Sequence, residues 1–254
     1  MCLALIALDA HPRVSLVIAA NRDEFHARPA APARWWRDGT LAGVDLEAGG
    51  TWFGVTVQGR WALVTNYREG IPRDARAPSR GSLVTLALGG GAPALACAAA
   101  MAIDGGRYHG YNLLVGECAS AAYTSNRASG ALSLGRGIHG LSNHLLDTPW
   151  PKVVRAKGRL AACLAAAAVD PESLFALLAD RTQAERAALP ATGIAPEWER
   201  LLSSAFIVDA RYGTRCSTVL TLARDGNARF VERSFDAQGR QTGEANYEFA
   251  LGAA

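Results

Sequence analysis

Lysine is almost missing from this 254-residue sequence: Lys152 and Lys157 are its only examples, and arginine supplies the rest of the 26 basic residues. Against 23 acidic residues the formal net charge is +3, too mild to point to nucleic acid or a membrane surface as partner. The arginine and alanine bias reads as genome composition. No CxxC pair or CxxCH sequence occurs among Cys2, Cys97, Cys118, Cys163 and Cys216, which excludes a zinc ribbon and covalently attached haem. Such a set suits reduced thiols in a cytoplasmic compartment. His11, His26, His109, His139 and His144 show no ligand spacing, so no metal is expected. GxGxxG and P-loop patterns are also absent. The apolar opening Leu3–Leu8 is too short to span a membrane and no basic segment precedes it, so it reads as a mature cytosolic start, not a signal peptide.

What is present suits one globular domain over 1–254. Half the residues are apolar and 19% are charged, with ample length for a core. Leu3–Leu8 and Val14–Ala20 predict an opening hairpin around Asp9–Arg13. Thr51–Val57 and Arg60–Thr65 predict another, turning at Gln58-Gly59. Tyr67–Arg80 reads as a long exposed loop, and Gly81–Leu88 and Pro93–Ile103 as helices broken by Gly89–Gly91. Strands are expected at Tyr111–Glu117, Ala121–Ser125 and Ile138–Ser142, then a helix from Thr148-Pro149 to about Ala168. On that helix Lys152, Arg155 and Arg159 read as a solvated stripe. A short helix follows Asp170-Pro171, and the segment 181–196 reads as a surface excursion. Strands return at Ala205–Asp209, Arg215–Ala223, Ala228–Phe235 and Ala245–Phe249. Strands at both ends with helices between predict an α+β fold with largely antiparallel sheets.

The chemistry-bearing feature is Cys2. If the initiator methionine is trimmed, one residue carries both a thiol and a free α-amine able to act as its base. A thiol of pKa about 8.5 is roughly 10% thiolate at pH 7.5, and an α-amine of about 7.8 is roughly one-third unprotonated. The competing reading makes Cys2 a small hydrophobe opening a buried strand. In an antiparallel hairpin the end of one strand faces the start of the other, so Asn21-Arg22-Asp23-Glu24 falls beside Cys2. Taken alone, that tetrapeptide also reads as a polar turn. Asn66 and Asn143 each end an expected strand, where an amide can meet an oxyanion or simply form a turn. Arg215 opens a strand and is placed to hold a substrate carboxylate or to form a rim ion pair.

Cys2 together with Asn21-Arg22-Asp23-Glu24 resembles the NRDE family, also called the Transport and Golgi organisation 2 family. Further matching blocks are Phe25, Arg28-Pro29, Gly49-Gly50-Thr51-Trp52, Thr65-Asn66, Arg80-Gly81, Tyr111-Asn112-Leu113-Leu114, Leu141-Ser142-Asn143, Leu146–Lys152 and Tyr212-Gly213-Thr214-Arg215. The resemblance implies an Ntn-hydrolase-like fold, a four-layer α-β-β-α sandwich. It further implies a catalytic set of Cys2 as nucleophile, Arg22 and Asp23 as orienting pair, and Asn66 and Asn143 at the oxyanion. Asn21, Glu24 and Arg215 would face substrate. Related amidases space the pair as Arg-Asn-x-Asp, so Glu24 stands beside Asp23 as the alternative carboxylate. The implied substrate is an acylated small molecule cleaved at an amide or thioester, with no cofactor required. The alternative is a carrier that binds haem or acyl-CoA in the same cleft, with Arg68, Arg73, Arg76 and Arg80 offered to phosphates.

Overall fold

The computed structural model describes residues 3–70, 74 and 76–252. Two antiparallel sheets form its centre. In the six-stranded sheet the order is β10 (Gly137–Leu141), β1 (Leu3–Leu8), β2 (Val14–Phe25), β11 (Tyr212–Ala223), β12 (Asn227–Phe235) and β13 (Gln241–Ala250). The seven-stranded sheet is a meander of β3 (Ala30–Trp35), β4 (Thr40–Asp45), β5 (Phe53–Thr56), β6 (Arg60–Asn66), β7 (Tyr111–Glu117), β8 (Ser120–Ser125) and β9 (Ala131–Ser133). Helices α1 (Gly81–Gly89) and α2 (Ala94–Ile103) cover one outer face. On the other lie α3 (Pro151–Leu164) and α4 (Pro171–Leu178), and α5 (Pro196–Leu201) precedes β11.

Strand alternation explains this layering. In β1, Leu3, Leu5 and Ala7 pack under α3 and α4, whereas Ala4, Ile6 and Leu8 face the opposite sheet. Both faces are apolar because both are covered, so β1 reads as a continuous hydrophobic run. In the seven-stranded sheet, Trp61 and Leu63 point between the sheets while Ala62 and Val64 pack under α1 and α2. The α-β-β-α order is therefore the expected fold class. No helix among the described residues is long and apolar enough to cross a membrane.

Several local expectations needed correction. Asn21–Glu24 is not a turn after β2 but its continuation, because β11 keeps pairing there, with Ser217 opposite Asn21 and Thr214 opposite Asp23. β3 and β4 went unread: Pro32 sits in an edge strand with a register shift between Ala31 and Arg34, a place where proline is tolerated. Helix α3 starts at Pro151 and stops at Leu164. Lys152 is not solvated; it is buried and Nζ donates to Leu202 O at 2.8 Å. Ala205–Asp209 forms no strand, only the isolated bridge of Val208 to Gly213.

Candidate active site

Polar residues at the end of β2 continue its alternation. Arg22 follows Ile18 and Ala20 toward the space between the sheets, and its guanidinium lies 4.4 Å from the Trp52 ring centroid. A cation over an indole face is attracted by the ring quadrupole, more strongly when desolvated. Its Nη2 is 3.8 Å from Asp45 Oδ2, and its buried Nη1 has no hydrogen-bond partner among the described residues. Asp23 points the other way: Oδ1 accepts from Thr214 Oγ1 at 2.6 Å, and Thr214 Oγ1 accepts from Ile207 N at 2.9 Å. Asn21 is fully buried, Nδ2 donating to Leu178 O at 2.9 Å and Ala205 O at 2.8 Å while Oδ1 accepts from Ser217 Oγ at 2.6 Å. Those bonds satisfy its amide, so Asn21 ties β2 to the helical layer and does not face a ligand.

The same end of the sheet gathers the other candidates. Leu3 pairs with Asn21 and Ala4 with Leu141, so β1 begins between the end of β2 and the segment leading to Asn143. Cys2 itself lies outside the described residues. Asn143 Nδ2 donates to Asn66 O at 2.9 Å and Asn143 O accepts from Arg68 N at 2.7 Å. The second N–H of the Asn143 amide and the Asn66 side chain have no hydrogen bond among the described residues.

These groups ring a two-lobed cavity. The larger lobe, about 510 Å³, is lined by Arg22, Glu24, Arg28, Asp45, Trp52 and Asn66 among others. The smaller, about 240 Å³, carries Phe25, Tyr67, Arg68, Asn143, Leu202 and Tyr212. Glu24, Asn66, Arg80 and His109 line both. Thus Arg22, Glu24, Asn66 and Asn143 share one cavity, while Asp23 sits behind its rim. Arg215 is not in the lining: its Nη1 donates to the carbonyls of Phe25, His26 and Arg28, at 3.1, 3.2 and 3.1 Å. It therefore clamps the chain leaving β2, a different task from the expected hold on substrate. Burial and, next, the neighbouring Arg22 charge lower its pKa.

Arg28, Asp45, Trp52 and His109 were not read as site residues. Arg28 Nε donates to Asp45 Oδ2 at 2.7 Å and Nη1 lies 3.0 Å from Glu47 Oε1. Burial works against its charge, but the bond and attraction of Asp45, with Glu24 and Glu47, outweigh burial and raise its pKa. The signal that could have found this wall is the glycine pair. A Cβ on Gly50 would lie 2.7 Å from Gly81 C, so the start of α1 presses directly on the Gly50-Thr51-Trp52 turn. The arginines offered to phosphates are divided: Arg68 is buried in an ion pair with Glu199, Arg76 pairs with Asp74, and Arg73 lies outside the described residues. Of the three that are described, Arg80 lines both lobes. No cluster of three or more metal-ligating side chains exists among the described residues.

The turn that carries Asn143 is anchored by Asp147, which adopts a left-handed φ of 57°. Its carboxylate accepts from Gly140 N at 2.9 Å and meets His139 Nδ1 at 3.0 Å and Lys157 Nζ at 2.5 Å. Burial opposes its ionisation most, yet Lys157, the Gly140 amide and His139 outweigh it and hold the carboxyl below its ordinary 3.8. A depressed folded pKa means stabilisation is full above the unfolded value and fades as pH falls through the folded one. Asparagine tolerates the same φ. Asp147→Asn should therefore lower the urea midpoint at pH 7 and converge with wild type in acid below about pH 3.8. A gap between the two midpoints that stays constant across pH would contradict this.

Comparison with known proteins accords with the geometry. The family model described as "Transport and Golgi organisation 2" matches residues 1–237. The human Transport and Golgi organization protein 2 homolog is 34% identical, covering 99% of both chains. The mouse homolog is 32% identical over the same shares, and the Drosophila melanogaster protein is 27% identical over 92% of each chain. Among solved structures, the Caenorhabditis elegans N-acylethanolamine-hydrolyzing acid amidase ortholog superposes with a TM-score of 0.50 at 13% identity, covering 86% of this chain and 92% of that one. A conjugated bile acid hydrolase variant from Clostridium perfringens gives 0.50 at 6% identity, covering 98% of each chain. These two share the fold at identities too low to carry more. The family model's match over residues 1–237 and the near whole-length match of the relatives place this chain in the Transport and Golgi organisation 2 family.

Proposed function

We propose that this protein is a hydrolase with an amino-terminal cysteine nucleophile, acting on the amide or thioester of a small acylated molecule. The carrying observation is convergence: Arg22 from β2, Asn66 from β6 and Asn143 from the turn after β10 line one cavity, at the end of the sheet where β1 begins. In the sequence Cys2 directly precedes Leu3, the first residue of β1.

In this reading the α-amine takes the thiol proton and Sγ attacks the carbonyl carbon. Arg22 Nη1 steadies the thiolate, and Asp23 holds the aminium. Asn143 and Asn66 direct amide N–H groups at the oxyanion, which develops most charge in the tetrahedral state. Collapse breaks the C–N or C–S bond, and the aminium returns its proton to the leaving group. Water, deprotonated by the freed amine, then cleaves the cysteine thioester and releases the acid. Glu24, on the cavity wall, replaces Asp23 if the aminium is held from that side.

Intact mass spectrometry decides the first step, since retained Met1 removes the amine-assisted mechanism. With Met1 absent, p-nitrophenyl acetate should acylate Cys2 much faster than Cys97 or Cys163; equal rates would count against a nucleophile. Burial raises the Cys163 thiol pKa, which makes it a slow comparator. A carrier of haem or acyl-CoA without turnover would instead show saturable binding of haemin or palmitoyl-CoA and no acylation of Cys2.

A further inference from the structure

Asn143 is the tip of a turn whose backbone is gripped from the opposite sheet. Asn112, on β7, is fully buried between the layers. Its Nδ2 donates to His144 O at 3.0 Å and to Thr65 Oγ1 at 3.1 Å, and its Oδ1 accepts from Tyr123 OH at 2.6 Å. Thr65 Oγ1 in turn donates to Ser142 O at 2.8 Å. Tyr123 OH also accepts from Leu146 N at 3.3 Å. The carbonyls on either side of Asn143 are thus each held by a buried side chain, one from β6 and one from β7.

The pattern fixes the amide's orientation. Oδ1 receives the phenol proton and both Nδ2 protons go to acceptors, so a flipped amide would face donor against donor and acceptor against acceptor. Burial pushes the Tyr123 phenol up to about 12, which keeps it a donor throughout the neutral range. Every member is satisfied, the condition under which a buried polar network rigidifies what it touches.

We infer that Asn112, supported by Tyr123 and Thr65, is a positioning residue: it aims the free amide N–H of Asn143 into the cavity by fixing the two peptides that flank it. This rests on the hydrolase reading for what that N–H does, but not for where it points. Asn112→Asp keeps the size of the side chain and replaces the donor facing His144 O by an acceptor. Tyr123→Phe removes the proton that orients Oδ1 and leaves the ring.

Two reagents separate positioning from general damage. Acylation of Cys2 by p-nitrophenyl acetate passes through an oxyanion; alkylation by iodoacetamide does not. Misplacing a catalytic group by an ångström costs up to about 100-fold. Asn112→Asp should therefore slow the nitrophenolate burst by about that much, and Tyr123→Phe by less, with alkylation of Cys2 unchanged. A burst equal to wild type overturns the assignment, as does an equal fall in both reactions. A wild-type protein with no burst fails the hydrolase reading instead. The positioning claim is then read from hydrogen exchange of the Arg68 amide, which donates to Asn143 O. Faster exchange in Asn112→Asp supports it and unchanged exchange overturns it.

Discussion

Replacing Glu199 by alanine should lower the thermal midpoint by roughly 6–20 °C, the largest stability loss expected from a single side chain beside the cavity. Arg68 Nη1 lies 2.6 Å from Glu199 Oε2, with only 6% and 4% of the two side chains exposed. The other carboxylate oxygen accepts from Thr192 N at 2.9 Å and Thr192 Oγ1 at 2.5 Å. Arg68 also stacks over Trp150, 4.6 Å from its centroid. Removing the acid leaves a buried guanidinium with an indole as its main neighbour. Breaking such a pair from one side costs about 3–5 kcal/mol, because the remaining charge stays out of water. In a chain of this size each kcal/mol shifts the midpoint by roughly 2–4 °C. The double replacement Arg68→Met with Glu199→Leu should recover most of the loss, as paired apolar groups bury without that penalty. Calorimetry of the three variants checks this, and a Glu199→Ala midpoint within two degrees of wild type would refute it.

The pair also has a functional reach. Arg68 donates its backbone N–H to Asn143 O and lines the smaller lobe, so α5 holds the cavity wall through a charge. This was not legible in the sequence. Arg68 lies in a polar stretch with several arginines, which reads as solvent-facing loop, and its partner is far along the chain, just past the 181–196 segment read as a surface excursion. Burial of a charge depends on where a distant segment lands, and neither period nor propensity encodes that. Lys152 was misread for the same reason: its acceptor, Leu202 O, also lies far along the chain, close to Glu199 in sequence.

What was legible rests on local rules. The apolar run Leu3–Leu8 and the turn after it fixed an opening hairpin, and antiparallel pairing then set the end of β2 against the start of β1, as Leu3 opposite Asn21 bears out. Asn66 and Asn143 stood out as strand-end amides, and they meet in space. The resemblance supplied the layer order, which α+β patterning alone leaves open. Arg215 shows the limit. Its position near the start of a strand was right in outline, but β11 begins at Tyr212 and is bulged between Thr214 and Cys216. A bulge re-aims a side chain by one face, and here it accompanies a guanidinium clamped on three carbonyls.

Placing a single glutamate between Met1 and Cys2, so that trimming cannot expose the cysteine, should reduce acylation of Cys2 by about 10²–10⁴-fold, the usual worth of a general base. The thiol remains, and so do Arg22, Asn66 and Asn143; only the primary amine leaves the reacting residue. An amide nitrogen in its place has no basic lone pair, so the thiol proton must go to water. Cys2→Ala, by comparison, should abolish acylation of residue 2 outright, and Cys2→Ser should retain the base but fall sharply, since a hydroxyl is far less acidic than a thiol. The series separates three demands on one residue: sulfur, amine and position. Burst kinetics with p-nitrophenyl acetate, normalised to the iodoacetamide-reactive thiol content, measures each. If the glutamate-extended protein acylates as fast as the trimmed one, the amine has no part in the reaction. His109, which also lines both lobes, then becomes the base to test, because its imidazole sits on the cavity wall.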